Sequence, residues 1–142
     1  MSEPTSVRAQ VGRQISLAIE NERGNLGALT NVLAARGVNL HALTLTGGID
    51  HGYVRLVADD HATALEALAA AGHLAYEREV VLLVIPNAPG ALAAVLELWA
   101  ARDINLEYTY CAGGPEVSEG LVVVCVDDPQ AAVAALQAHA SA

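Results

Sequence analysis

The sequence predicts an α+β fold built from two copies of one β-α-β-β-α-β unit, each an antiparallel sheet with two helices on one face. Three observations lead there. The chain repeats itself: Ile19, Asn21, Gly24 and Leu26 recur with the same spacing as Ile85, Asn87, Gly90 and Leu92. The same register pairs Ala34-Ala35-Arg36 with Ala100-Ala101-Arg102, Asn39-Leu40 with Asn105-Leu106, and Gly47-Gly48 with Gly113-Gly114. After a slightly longer turn in the second copy, Gly52 meets Gly120, Asp59-Asp60 meets Asp127-Asp128, and Leu68 meets Leu136. Matches at Asn, Gly, Asp and Arg do not follow from the chain's alanine bias, so they mark a duplicated supersecondary unit. In both copies the hydrophobic period also switches between strand and helix values in the same order. Finally, 142 residues, 54% of them hydrophobic and 16% charged, suit a folded chain with one ordinary domain or two small ones.

The elements follow in order. Ile15, Leu17 and Ile19 alternate with Ser16, Ala18 and Glu20, the pattern of a half-buried strand. Leu26, Leu29, Val32, Leu33 and Arg36 continue at helical spacing, and Gly37 ends that helix. Val38–Thr46 and Gly52–Ala58 read as a hairpin around Gly47-Gly48-Ile49-Asp50. Asp60 can cap a helix over His61–Ala71, as Asp128 followed by Pro129 can cap one over Pro129–His139. His73–Ile85 is one long extended run, able to end the first copy and begin the second with no linker. The second copy continues with a helix over Gly90–Arg102 and strands over Ile104–Ala112 and Gly120–Val126.

This is the ferredoxin-like arrangement, with a first domain over 14–79 and a second over 80–142. The second copy reaches Ala142 straight after its second helix, so it lacks its last strand. The edge left open needs a cover, either the segment Thr5–Val11 or another chain. The helix-free face of the first copy should be polar, carrying Ser16, Glu20 and Arg55. In the second copy Val80–Ile85 and Leu121–Val126 are apolar on both faces, which suits packing inside the chain or a subunit interface. The open edge and apolar face together predict a homodimer or larger.

Charge and composition exclude several classes. The net charge is −9, with seven cationic residues, all Arg, against sixteen acids; no stretch concentrates positive charge on a phosphate backbone, so no nucleic-acid partner is expected. The six-residue run Val80–Ile85 falls far short of the roughly 20 apolar residues that span a bilayer, so no membrane partner is expected either. With no basic and apolar leader pattern and two cysteines, the expected compartment is the cytoplasm.

Two β-α-β-β-α-β units that each open with strand-Asn-x-x-Gly-x-Leu and continue to Val/Ile-Asn-Leu resemble tandem ACT domains. The resemblance runs from about Gln14 to His139. Asn87-Ala88-Pro89-Gly90-Ala91-Leu92 is the closer match, and the first copy has Arg23 where the family often has Pro. The chain is similar to stand-alone tandem-ACT proteins of bacteria. The resemblance implies a regulatory sensor of an amino acid or similar small effector, bound where domains meet, with no catalytic domain and a possible regulated enzyme or regulator as partner. The alternative is an ACT-fold interaction module that binds no ligand and holds subunits together.

The residues support a site of that kind at two turns. Gly24 and Gly90 lie where a strand turns into a helix and allow a close approach. The first helical N–H groups, from Asn25 and Leu26 or from Ala91 and Leu92, lack intrahelical partners and favour a carboxylate. Asn21 and Asn87 precede the turns, while Asn39 and Asn105 open the neighbouring strands; each amide can bond an ammonium or a carboxylate, or can satisfy loop backbone. In the family, polar residues at such positions commonly hold the ligand. His41 follows Asn39 at one residue's remove and would share its strand face. Arg23 adds attraction for an anion, which places the better site in the first copy.

Other residues suggest no chemistry. His41, His51, His61 and His73 lack zinc-ligand spacing, and neither metal nor cofactor is expected. No Ser/His/Asp or Cys/His set is recognisable, so the chain is read as no enzyme. If Ala112 pairs with Leu121, Cys111 faces Val122 and Cys125 faces Tyr108, and the two thiols are not disulfide partners. Trp99, Tyr108 and Tyr110 read as core or interface.

Overall fold

The computed structural model describes residues 7–141. Its elements are β1 (Arg8–Glu20), α1 (Asn25–Ala34), β2 (Leu40–Gly47), β3 (His51–Ala58), α2 (His61–Ala70), β4 (Tyr76–Pro86), α3 (Ala91–Ala101), β5 (Leu106–Ala112), β6 (Glu119–Val126) and α4 (Pro129–Ser141). The order is β-α-β-β-α twice over, with β4 following the first run and opening the second. The described residues group into Arg13–Arg78, the first unit, and a second unit made of the chain from Glu79 onward with the stretch up to Gly12.

In the first unit the strand order is β2-β3-β1-β4, with only the opening residues of β4 belonging to it. β1 and β3 run antiparallel with Ile15 opposite Leu56 and Glu20 opposite His51, and β2 lies antiparallel on the outside of β3. Alternation sends Ile15, Leu17 and Ile19 to one face, where they pack with Val54 and Leu56, Leu29 and Leu33 of α1, and Leu68 of α2. Each leucine so buried contributes roughly 1.5–3 kcal/mol. Asp60 caps α2 as its position predicts: Thr63 donates its backbone N–H to Oδ1 at 3.1 Å and its hydroxyl to Oδ2 at 2.7 Å. Asp59 is not part of that cap; its carboxylate accepts the N–H of Asn39 at 2.9 Å and so fixes the entry to β2.

In the second unit the order is β1-β4-β6-β5. The position read from the sequence as a missing last strand is therefore filled, by the Arg8–Gly12 end of β1. Ala9 packs on the core of this unit, which holds Val81, Leu83, Val95, Trp99, Val122 and Val124. Arg8 reaches across β4 to pair with Glu119 of β6, donating from Nη1 to Oε2 at 2.9 Å and from Nη2 to Oε1 at 3.2 Å. That contact holds the Glu119 carboxyl below its ordinary range. Of the Thr5–Val11 segment, Thr5 and Ser6 lie outside the described residues. Trp99 is buried and donates its indole N–H to the carbonyl of Ala132 at 3.0 Å, tying α3 to α4.

In the second unit the face away from the helices follows the apolar pattern: Val80, Val123 and Cys125 alternate with core residues, so they point to that face, and they are buried within the chain, one of the two arrangements expected. Tyr108 lies opposite Cys125 and Tyr110 opposite Val123, which sets two aromatic rings beside them. Ser16 is buried where a polar open face predicts exposure, and so is Gln14. No helix among the described residues is long and apolar enough to cross a membrane.

At the other side of the first unit, Glu77 of β4 accepts from Nη1 of Arg13 at 3.2 Å and lies 2.7 Å from Nε2 of His61, whose Nδ1 is buried without a partner. The hydrogen bond to His61, with Arg13 adding its charge, holds the Glu77 carboxyl below the ordinary glutamate value of 4.5. A depressed carboxyl contributes stability above its unfolded value and loses it as the pH falls through its folded one. Glu77→Gln should therefore flatten part of the loss of Tm on acidification below about pH 4.5 and leave the slope near neutrality unchanged.

Two glycines predict opposite responses. A Cβ on Gly12 would run into Cδ1 and Cγ of Leu82. Gly12→Val should cost about 1–3 kcal/mol in urea unfolding, by forcing β1 off β4. Gly27 sits inside α1 with nothing within 4 Å of its Cβ position. Gly27→Ala should raise stability by about 0.5–1 kcal/mol in the same assay.

Candidate functional site

Both units build the same turn between their first strand and first helix. Gly24 caps α1 with φ 87° and ψ −8°, and Gly90 caps α3 with φ 87° and ψ −11°, left-handed conformations that a glycine adopts without steric cost. Neither helix has a side-chain cap, and neither has an acid in its first turn. The N–H of Asn25 donates to Glu22 and that of Ala28 to Gly24; the N–H of Ala91 donates to Ala88 and that of Ala94 to Gly90. The groups left over are the N–H of Leu26 and Gly27 in one unit and of Leu92 and Ala93 in the other. The available pair is thus one residue further along than the sequence places it, and the Asn25 and Ala91 backbone is already used. A pair of uncompensated N–H groups at a helix start favours an anion.

The two asparagines before these turns hold loops. Asn21 donates Nδ2 to the carbonyls of Gly48 at 2.9 Å and Ile49 at 3.3 Å, and its backbone N–H to Asp50. Asn87 repeats this, with Nδ2 2.8 Å from the Val117 carbonyl and 3.5 Å from that of Gly114, and its N–H on Ser118. Each thereby stitches its hairpin turn to the start of the neighbouring helix. Asn25 donates Nδ2 to the Glu20 carbonyl at 2.9 Å, clamping the end of β1 to the first turn of α1.

Asn39 and Asn105 are not gathered to these turns. β2 begins beyond Asn39 and runs its full length to Gly47, next to the turn that Asn21 holds. Eight residues of strand put Asn39 roughly 25 Å from Asn21, at the opposite end of the unit. Asn105 stands in the same relation to Asn87. The shared strand face expected for Asn39 and His41 is also lost. The register slips between Leu40 and Ala42, leaving His41 as the extra residue of a bulge, and Glu107 has the same place between Leu106 and Tyr108. Bulges of this kind bend edge strands away from further pairing.

In each unit a cavity touches predicted residues. In the second unit a cavity of about 280 Å³ lies under the 113–118 turn and is lined by Asn87, Ala88, Leu92, Ile85, Cys111 and Leu121, among others. Its walls are apolar apart from backbone, the Asn87 amide and the Cys111 thiol. In the first unit a cavity of about 380 Å³ lies along another flank of the first helix, lined by Glu20, Asn25, Ala28, Leu29 and His73 with neighbours. Asn21, Gly24, Leu26, Asn39, His41, Gly90, Ala91 and Asn105 line neither. Cys111 is a wall residue that motif reading passes over; only its pairing with Leu45 in the internal repeat singles it out. No disulfide joins Cys111 and Cys125, which stand on offset register positions, opposite Val122 and Tyr108.

The family model of the ACT domain pair matches residues 11–138, and the chain belongs to that family. Protein BT0572 from Bacteroides thetaiotaomicron has a similar crystal structure, with 31% sequence identity over 92% of this chain and 90% of that one and a TM-score of 0.84. The ligand-free regulatory subunit of aspartate kinase from Thermus thermophilus is similar at 21% identity, covering 94% of this chain and 96% of that one, with a TM-score of 0.72. The corresponding subunit from Thermus flavus shares 19% identity over 96% and 97%, with a TM-score of 0.63. At those identities the two aspartate kinase subunits show the fold alone. No curated protein matches the chain.

Gly24→Ala and Gly90→Ala test the turns. Nothing lies within 4 Å of either Cβ position, so the cost comes from the left-handed backbone and not from a clash. Each should destabilise by about 1–2 kcal/mol in urea unfolding, and the two costs should match.

Proposed function

We propose that the chain is a regulatory sensor that binds an amino acid or related small effector and passes its occupancy to a regulated enzyme or regulator. One observation carries the reading: each unit starts its first helix with two N–H groups that no side chain caps, in a first turn that holds no acid. A carboxylate there gains hydrogen bonds and the helix dipole together. Membership of the ACT domain pair family and the likeness to structures described as regulatory subunits support it. In this reading the domains are 14–79 and 80–142, the chain works in the cytoplasm, and it functions as a homodimer with no catalytic step of its own.

A second reading is a ligand-free interaction module. It is favoured by Asn21 and Asn87, whose amides are already engaged by their own loops, and by the exposed side chains Leu45, Ile49 and Tyr53 around the first hairpin. A thermal-shift screen with the twenty amino acids separates the two. An effector at 100 times its Kd stabilises the folded state by about 2.7 kcal/mol, which raises Tm by roughly 5–10 °C. A flat screen, with a dimer by light scattering, would favour the interaction module.

A further inference from the structure

The repeat makes the two units controls for each other. The internal alignment pairs Ile19 with Ile85, Leu45 with Cys111 and Gly52 with Gly120. The hairpin registers agree: Leu45 lies opposite Val54, two pairs from Gly47 and Gly52, as Cys111 lies opposite Val122, two positions before Gly113. In the first unit Leu45 folds over Gly52. Its Cδ1 stands 2.7 Å from where a Gly52 Cβ would be, with Cγ1 of Ile19 at 3.8 Å from the same point. In the second unit no side chain takes that position. The nearest atom to a Cβ on Gly120 is the Ala112 carbonyl oxygen at 3.8 Å, and the cavity of about 280 Å³ opens there, against Ile85, Leu92 and Cys111.

We infer that effector binding is confined to the second unit, that its cavity takes an uncharged branched aliphatic side chain, and that the residue at 45 or 111 decides which unit binds. The inference rests on the sensor reading and narrows its ligand. The chain itself indicates the occupant, because an isobutyl group lies in the first unit where the second is open. The lining carries no carboxylate, guanidinium or imidazole, so a charged effector side chain would be buried without a counter-ion. The volume sits just under the range of about 300–1,000 Å³ for drug-sized ligands, which suits a small molecule. Leu92 lines the cavity and bears one of the two available N–H groups of α3, so a carboxylate can rest there while the aliphatic chain enters. This reverses the sequence-based preference for the first copy: Arg23 attracts an anion there, but Leu45 takes up the space.

The test is calorimetry on the full chain with free leucine, isoleucine, valine, lysine and aspartate. Leucine, isoleucine or valine should bind with one site per chain, and lysine and aspartate should not. Cys111→Leu should weaken that binding roughly 10- to 100-fold by filling the cavity. Cys111→Ala keeps the space and should keep the affinity, with circular dichroism confirming that both variants fold. Leu45→Ala should add a second site per chain. In parallel, maleimide labelling of Cys111, with buried Cys125 as internal reference, should slow at least several-fold with leucine and not with lysine. Aliphatic binding that survives Cys111→Leu, or two sites in the unaltered chain, overturns the inference and leaves the sensor reading intact. Binding of lysine or aspartate alone overturns the ligand class. No heat from any amino acid, with a flat thermal screen, removes the sensor reading and this inference with it.

Discussion

Each unit depends on the left-handed turn at Gly24 or Gly90. The chain leaves the sheet there and must come back over it as a helix within a few residues. A φ of 87° accomplishes that reversal, and at both positions the residue is one without a Cβ to oppose it. The helix that follows is thereby aimed along the sheet, so Leu29 and Leu33, or Val95 and Trp99, land on the strand residues beneath. The same glycine cannot offer a capping oxygen. The geometry that orients the helix is therefore also what leaves two N–H groups of its first turn without protein partners. Fold and candidate site share one cause.

The end of the first helix shows how far duplication lets the copies drift. Gly37 leaves α1 with φ 73°, and its counterpart Asp103 adopts φ 59° at the same point beyond α3. Asp is among the few side chains that tolerate this region, since its short carboxylate can bond locally. The backbone path is retained while the residue is not. Leu45 and Cys111 drift in the other sense, because there the backbone path and register are retained and the free volume changes.

Much of this was legible in the sequence, and the reason is locality. Alternation in 15–20, helical spacing from Leu26 and the caps at Asp60 and Asp128 are short-range signals; the three helices appear within a residue or two of where those signals put them, whereas β1 starts seven residues earlier, at Arg8. The rest needed knowledge of partners. An asparagine amide has the same chemistry whether it meets an effector or the carbonyls of Gly48 and Val117, so the roles of Asn21 and Asn87 emerge only from three-dimensional contacts. A bulge shifts every later side chain, and nothing in Leu40-His41-Ala42 announces one. Ser16 reads as exposed because it alternates with core residues, although it is buried. The strand on the open side of β4 was one of two options, and hydrophobic pattern alone does not choose between them.

That strand has a consequence for how the protein is made. Arg8 and Glu119 are separated by 111 positions, yet both belong to the second unit. On a ribosome adding about 5–20 residues per second, the start of β1 emerges some 5–20 s before β6 does. Over that interval the first unit can acquire all of its own elements, whereas the second has its outermost strand and nothing to lay it against. Closing such a long loop is slow compared with local pairing. The nascent chain therefore carries a waiting strand, and the later of the two units is completed by residues made ahead of the earlier one.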